Sequence, residues 1–129
     1  MKKIINTSKA PNAIGPYSQA IIAKDLIFTS GQIAIDPQTN EFIGKESIET
    51  QTKQVMTNLQ AVLNEANIGF DQVIKTTIYL TDMAYFDKVN QIYETYFSDK
   101  PAARETVAVL QLPKNALVEI SMIGILSSK

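Results

Sequence analysis

The chain has 129 residues, 45% hydrophobic and 19% charged. That mix fits one globular domain over residues 1–129 and excludes both a disordered chain and a bundle of long apolar spans. With 12 Lys+Arg against 13 Asp+Glu the net charge is -1, so nothing draws the chain electrostatically to nucleic acid.

The chain has no Cys and no His. Disulfides, thiol nucleophiles, imidazole acid–base chemistry and thiolate or His-ligated metals are therefore excluded. Any chemistry must come from Arg, Lys, carboxylates, hydroxyls, backbone groups or water. Gly-rich phosphate loops are missing, and the basic residues are scattered without interleaved aromatics, which argues against a ribonuclease or direct RNA binder.

At the amino terminus two lysines precede only two isoleucines before polar and Pro residues appear. That is no secretory core, and a soluble cytoplasmic protein without membrane contact is expected. Residues 6–18 hold Asn6, Pro11, Asn12, Gly15 and Pro16 and read as an irregular loop. Residues 19–23 and 26–30, split by Lys24-Asp25, read as a hairpin. Residues 36–46 form another loop around Asp36-Pro37 and Gly44.

Over residues 47–66 the period changes. Ile48, Val55, Met56, Leu59, Val62, Leu63 and Ala66 fall on one helical stripe, with Ser47 as N-cap and Glu49 in the first turn. Residues 72–80 are β-branched and aromatic and predict a strand. Thr81 or Asp82 can cap a second helix, whose apolar face holds Phe86, Val89, Tyr93, Tyr96 and Phe97. Residues 104–112 and 117–126 predict a closing strand pair, joined antiparallel through Pro113-Lys114-Asn115.

The pattern is α+β, with two helices able to cover one sheet face only. In the last strand both parities are apolar: Leu117, Ile123 and Ile125 on one, Val118, Ile120 and Met122 on the other. A face left solvated should be polar, so the uncovered face is expected to meet other copies in a closed homo-oligomer.

Functional candidates are polar residues that break this pattern. Glu119 interrupts an apolar strand, either as half of a structural ion pair or edge contact, or as a carboxylate that holds or activates water. Arg104 opens the preceding strand, either as a solvated cation or as a clamp matching a carboxylate with parallel hydrogen bonds. Asn90 sits on the apolar helix face, as a satisfied amide or a ligand contact. Tyr17 follows Gly15-Pro16, and Ser30-Gly31-Gln32 ends a strand; ordinary turn chemistry accounts for both equally well.

Taken in order, Ile14-Gly15-Pro16-Tyr17-Ser18, Thr29-Ser30-Gly31-Gln32-Ile33, Val89-Asn90-Gln91-Ile92-Tyr93, Pro101-Ala102-Ala103-Arg104, Leu112-Pro113-Lys114 and Val118-Glu119-Ile120 resemble the RidA (YjgF) family of reactive-intermediate deaminases. The resemblance covers essentially the whole chain. It implies a chorismate-mutase-like subunit, with a mixed six-stranded sheet and two helices on one face. It also implies a homotrimer with a central barrel and clefts between subunits.

The implied reaction is hydrolysis of enamines and imines such as 2-aminoacrylate and 2-aminocrotonate to 2-keto acids and ammonia, with no cofactor and no metal. By matching motif, Arg104 would bind the substrate carboxylate and Glu119 would position the attacking water. Tyr17, Ser30, Gly31, Asn90 and Thr106 would line the cleft. The partners implied are small 2-imino and 2-keto acids. Two further functions fit the same family pattern: a non-catalytic sensor of small carboxylates, and a chaperone-like or translation-inhibiting interaction protein.

The chain departs from the usual pattern at several positions. Glu105 places a negative charge beside Arg104, which strand alternation should send to the other face. Thr106 supplies a hydroxyl where relatives carry a thiol or hydroxyl. Ala102 replaces a frequent second proline, and Gln111 a frequent basic residue.

Overall fold

The computed structural model describes residues 1–127. The first strand, β1 (Lys2–Ile5), has no counterpart in the sequence reading, because two lysines dilute its apolar signal. The expected hairpin is β2 (Ala20–Ala23) and β3 (Leu26–Thr29), paired Ala20 to Thr29 and turned at Lys24, whose φ is 55°. The expected loop over residues 36–46 contains a two-stranded ribbon, β4 (Ile35–Asp36) and β5 (Glu41–Phe42).

Ser47 starts α1 (Ile48–Glu65) as predicted: its side chain accepts from the Thr50 backbone N–H, and Glu49 lies in the first turn. Val55, Met56, Leu59, Val62 and Leu63 are fully buried on the inward stripe. That stripe also holds two buried amides. Gln51 donates to the Gly44 carbonyl and accepts from the Leu117 N–H, while Asn58 donates to the Ile33 and Ile35 carbonyls. These bonds tie the loops at one end of the sheet to the helix, and leaving them unmade inside the protein would be costly.

The strand β6 (Val73–Leu80) leads into a short 3-10 turn capped by Asp82, which accepts from the Ala84 N–H. The expected cap of the second helix is corrected here: Asp82 caps this intervening turn, and the second helix itself begins after Tyr85 without a side-chain cap. The helix α2 (Phe86–Glu94) follows and ends before Tyr96 and Phe97, which still pack against the core. The strand β7 (Ala103–Ala108) is shorter than the predicted 104–112, and β8 (Val118–Ile125) closes the chain.

The strands form one six-stranded mixed sheet in the order β1-β2-β3-β8-β6-β7, with both helices on one face. One expectation is corrected here. The last two strands do not pair with each other. Strand β7 runs parallel to β6 at the sheet edge, as a crossover through α2 requires, and β8 is inserted antiparallel between β3 and β6. The connection over residues 109–117 is not a tight hairpin; Lys114 and Asn115 take left-handed φ of 56° and 55° within it. The central slot gives β8 hydrogen-bonding partners on both edges, which its two-sided apolar sequence suits.

The face away from the helices is uncovered. Ile4, Ile21, Phe28 and Ile123 follow one another in register across β1, β2, β3 and β8 on it. Ile4, Phe28, Val107 and Ile125 are exposed there. Among the described residues no helix is long and apolar enough to cross a membrane.

Candidate functional site

Strand register decides where the two principal candidates lie. Arg104 pairs with Thr76 and Glu119 with Tyr79 on the same strand, β6. Successive strand residues point to opposite faces. Arg104 therefore faces the helices and Glu119 the uncovered side. Within one chain the two are not brought together.

The helix-side half is built on Arg104, Asn90 and Thr106. The Arg104 guanidinium donates from Nη1 to Asn90 Oδ1 at 2.6 Å. Its Cζ lies 5.1 Å from the Tyr93 ring centroid and 5.6 Å from that of Phe86. Among the described residues the ion pairs are Lys75–Glu105 and Lys88–Glu49, so no carboxylate neutralises Arg104. A cavity of about 440 Å³ opens beside it, walled by Asn90, Tyr93, Phe97, Pro101 and Ala102. Thr106, two residues along the same strand face, has a buried hydroxyl oxygen with no hydrogen-bond partner. Asn90 is thus neither bonded to backbone nor idle: it holds the arginine.

Glu105 goes where alternation sends it. Its carboxylate accepts from Thr77 Oγ1 at 2.9 Å and pairs with Lys75 Nζ at 3.2 Å on the uncovered face. Those two partners hold its pKa below the usual carboxylate value, the Thr77 hydrogen bond first. The charge that stood next to Arg104 in sequence is turned away from it.

The other half is built on Glu119, Gly31, Tyr17 and Ser30. The Glu119 side chain lies directly over Gly31. A Cβ at Gly31 would collide with Glu119 Oε2 and come within 2.8 Å of Cδ. Glycine here leaves the room that the Glu119 carboxylate occupies. Half-burial raises the Glu119 pKa, and no hydrogen bond or ion pair opposes the shift. The structural ion-pair reading of Glu119 therefore has no partner among the described residues.

Tyr17 is half exposed on the first loop. It stands at a junction, lining both a cavity of about 380 Å³ with Gly31 and Lys114 and one of about 610 Å³ with Phe28 and Ser30. The Ser30 hydroxyl donates to the Ser18 carbonyl at 2.6 Å, and the Ser30 N–H to the Gln19 carbonyl at 2.9 Å. Ser30 lines the second cavity, and its hydroxyl secures the segment that carries Tyr17.

The residue that most fixes this loop is Gln19, which the sequence reading placed in an apolar run. Buried, it accepts from the Thr7 N–H and donates to the Thr7 and Pro11 carbonyls, stitching residues 7–11 to β2. An amide at the start of an apolar run after a loop rich in unpaired carbonyls was the available signal.

In both fold and motif order the chain matches known proteins. The endoribonuclease L-PSP family matches residues 7–126. A RutC family protein of Synechocystis is 52% identical over 125 residues, covering 96% of each chain. Reactive Intermediate Deaminase A of Arabidopsis thaliana, a chloroplastic protein, is 46% identical over 97% of this chain and 66% of its own length. A crystal structure of a Rid family protein from Yersinia pestis superimposes with a TM-score of 0.95 at 46% identity, covering 98% and 100% of the two chains.

These relationships define an α+β domain of the Rid type. The chain belongs to the endoribonuclease L-PSP family, to which the name RidA (YjgF) also attaches.

Proposed function

We propose that the protein hydrolyses reactive enamines and imines of small 2-amino acids to 2-keto acids and ammonia. The site would join Arg104, Asn90 and Thr106 of one subunit to Glu119, Gly31, Tyr17 and Ser30 of the next in a homotrimer. The observation that carries this reading is the un-neutralised Arg104 guanidinium, held by a neutral amide and two aromatic rings at the mouth of a cavity. Such a group keeps its full charge for a ligand carboxylate. The unpartnered Thr106 hydroxyl beside it suits a ligand's polar atom.

The opposed faces of Arg104 and Glu119 support a shared site. A reaction that needs both must draw them from two copies. The apolar row Ile4, Ile21, Phe28 and Ile123 offers the surface through which copies would pack into a central barrel. The Arabidopsis relative supports the reaction class through its name. An Escherichia coli relative described with bound serine, 35% identical, supports a small amino-acid-like ligand.

The chemistry fits these residues. An imine carbon is already electrophilic, and a bound carboxylate fixes its place. Water adds to that carbon. One water proton passes to nitrogen, directly or by way of Glu119, to give a carbinolamine; its hydroxyl proton then passes to nitrogen by the same route, the C–N bond breaks, and ammonia leaves as the C=O forms. A carboxylate with a raised pKa is a better proton acceptor than an ordinary one.

The test couples purified protein to a threonine dehydratase and follows 2-ketobutyrate formation. Acceleration lost in Arg104→Ala supports the proposal, and unchanged acceleration in Arg104→Ala overturns it. Tight 2-ketobutyrate binding without turnover would favour a carboxylate sensor instead.

A further inference from the structure

We infer that Tyr93, tethered through its hydroxyl to Thr76, is a positioning residue for Arg104, and that with Phe86 it forms a cradle that recognises guanidinium as such. The inference rests on the reading of Arg104 as the carboxylate clamp.

Phe86, Asn90 and Tyr93 are spaced four and three residues apart on α2 and so share one helix face. All three converge on one guanidinium, the amide by a 2.6 Å hydrogen bond and the rings at 5.6 and 5.1 Å. A ring face attracts a cation through its quadrupole without cancelling the charge. A carboxylate in the same place would compete with the ligand. Neutral holders are the one arrangement that both fixes the arginine and leaves it able to bind an anion.

The Tyr93 ring cannot swing. It is buried, and its hydroxyl donates to Thr76 Oγ1 at 2.9 Å. Thr76 is fully buried and pairs directly with Arg104 across the β6–β7 ladder. The Tyr93 ring also packs on Phe97, with centroids 4.6 Å apart. The neighbouring strand, at the position paired with Arg104, is thus bonded to the ring that receives the arginine's head. Burial pushes the Tyr93 pKa up, so the hydroxyl stays a donor across the working range.

Chemical rescue reads this directly. Arg104→Ala is assayed in the coupled dehydratase reaction with added methylguanidinium, alone and combined with Tyr93→Leu or the milder Phe86→Leu. The expected result is saturable recovery in the single variant, and about a tenfold higher half-saturating concentration, or none reached, in the doubles. In the otherwise intact chain, Tyr93→Phe keeps the ring and loses the tether. It should raise KM several-fold, by about 3- to 10-fold, with kcat changed less.

A merely structural role would lower kcat with the folded fraction and leave the half-saturating concentration unmoved. Equal rescue in single and double variants, or no rescue in the folded single variant, overturns the cradle and leaves the Arg104 clamp standing. Full activity of Arg104→Ala without additive overturns the clamp, and the cradle with it.

Discussion

Thr76 and Tyr79, three positions apart on β6, carry Arg104 and Glu119 as their respective neighbours on flanking strands. The odd spacing sends the guanidinium and the carboxylate to opposite sides of one sheet. The proposal of a cleft shared between copies follows from that parity. Each half is well formed by itself, with Arg104 cradled and Glu119 seated on Gly31, and neither half contains the other's chemistry.

Gly31→Ala tests the seating of Glu119. The new methyl group would occupy the place of the carboxylate, which sits at the end of a flexible side chain and can move. Stability should change by less than about 1 kcal/mol, within the range of ordinary surface substitutions or slightly beyond. The deaminase rate should fall by about 10- to 100-fold because the displaced carboxylate no longer meets water in line. Thermal melting alongside the coupled assay measures both.

Glu119 also sets a pH dependence. Burial raises its folded pKa above its unfolded value. Its contribution to stability is then fully present below the ordinary carboxylate range and is lost as pH rises through the folded value. In the proposed reaction, with Glu119 as proton acceptor, catalysis runs the other way, because only the ionised form accepts a proton. The acid limb of the rate profile should lie above the usual Glu range. In Glu119→Gln that limb should vanish and the rate drop by about 100-fold or more, while melting at neutral pH stays equal or improves. An unshifted acid limb in Glu119→Gln would assign the titration to another group.

Gln19 predicts a loss transmitted through a loop. Gln19→Ala leaves the Thr7 N–H and the Thr7 and Pro11 carbonyls without their buried partner. The cost should be about 1–3 kcal/mol in chemical denaturation. Amide exchange should quicken at residues 7–18 before it does in α1.

Much of this was readable before the fold was known. The stripe from Ile48 to Leu63 gave α1 its ends and its buried face, and two-sided apolarity in β8 pointed to a surface that helices do not cover. The same periodicity held Gln51 and Asn58, three residues beyond Ile48 and Val55, and they could have been singled out as Asn90 was. Pairing was less legible. Nearness in sequence suggests a hairpin between residues 104–112 and 117–126, whereas the α2 crossover fixes β7 parallel to β6 and leaves β8 the central slot. Without that register the opposed faces of Arg104 and Glu119 have no signature in the sequence. Phe86 and Tyr93 read as core residues because an aromatic that steadies a cation has the same spacing as one that fills space.

The uncovered face makes a prediction about mass. Phe28 lies in the row with Ile4, Ile21 and Ile123. Phe28→Asp places a charge in what should be the packed centre of the assembly. Light scattering should report a multiple of 14.3 kDa for the wild-type chain and the single-chain mass for the variant. A wild-type mass of one chain would remove the shared cleft.

Mixing two inactive variants addresses the shared site most directly. Arg104→Ala and Glu119→Gln, carrying different tags, are refolded together in equal amounts, and assemblies bearing both tags are isolated. If each cleft takes its arginine from one copy and its carboxylate from the next, every doubly tagged trimer restores one complete cleft, about a third of its interfaces. The coupled assay should then recover a substantial part of wild-type activity from two parents that have almost none. Doubly tagged assemblies as inactive as their parents would contradict the account.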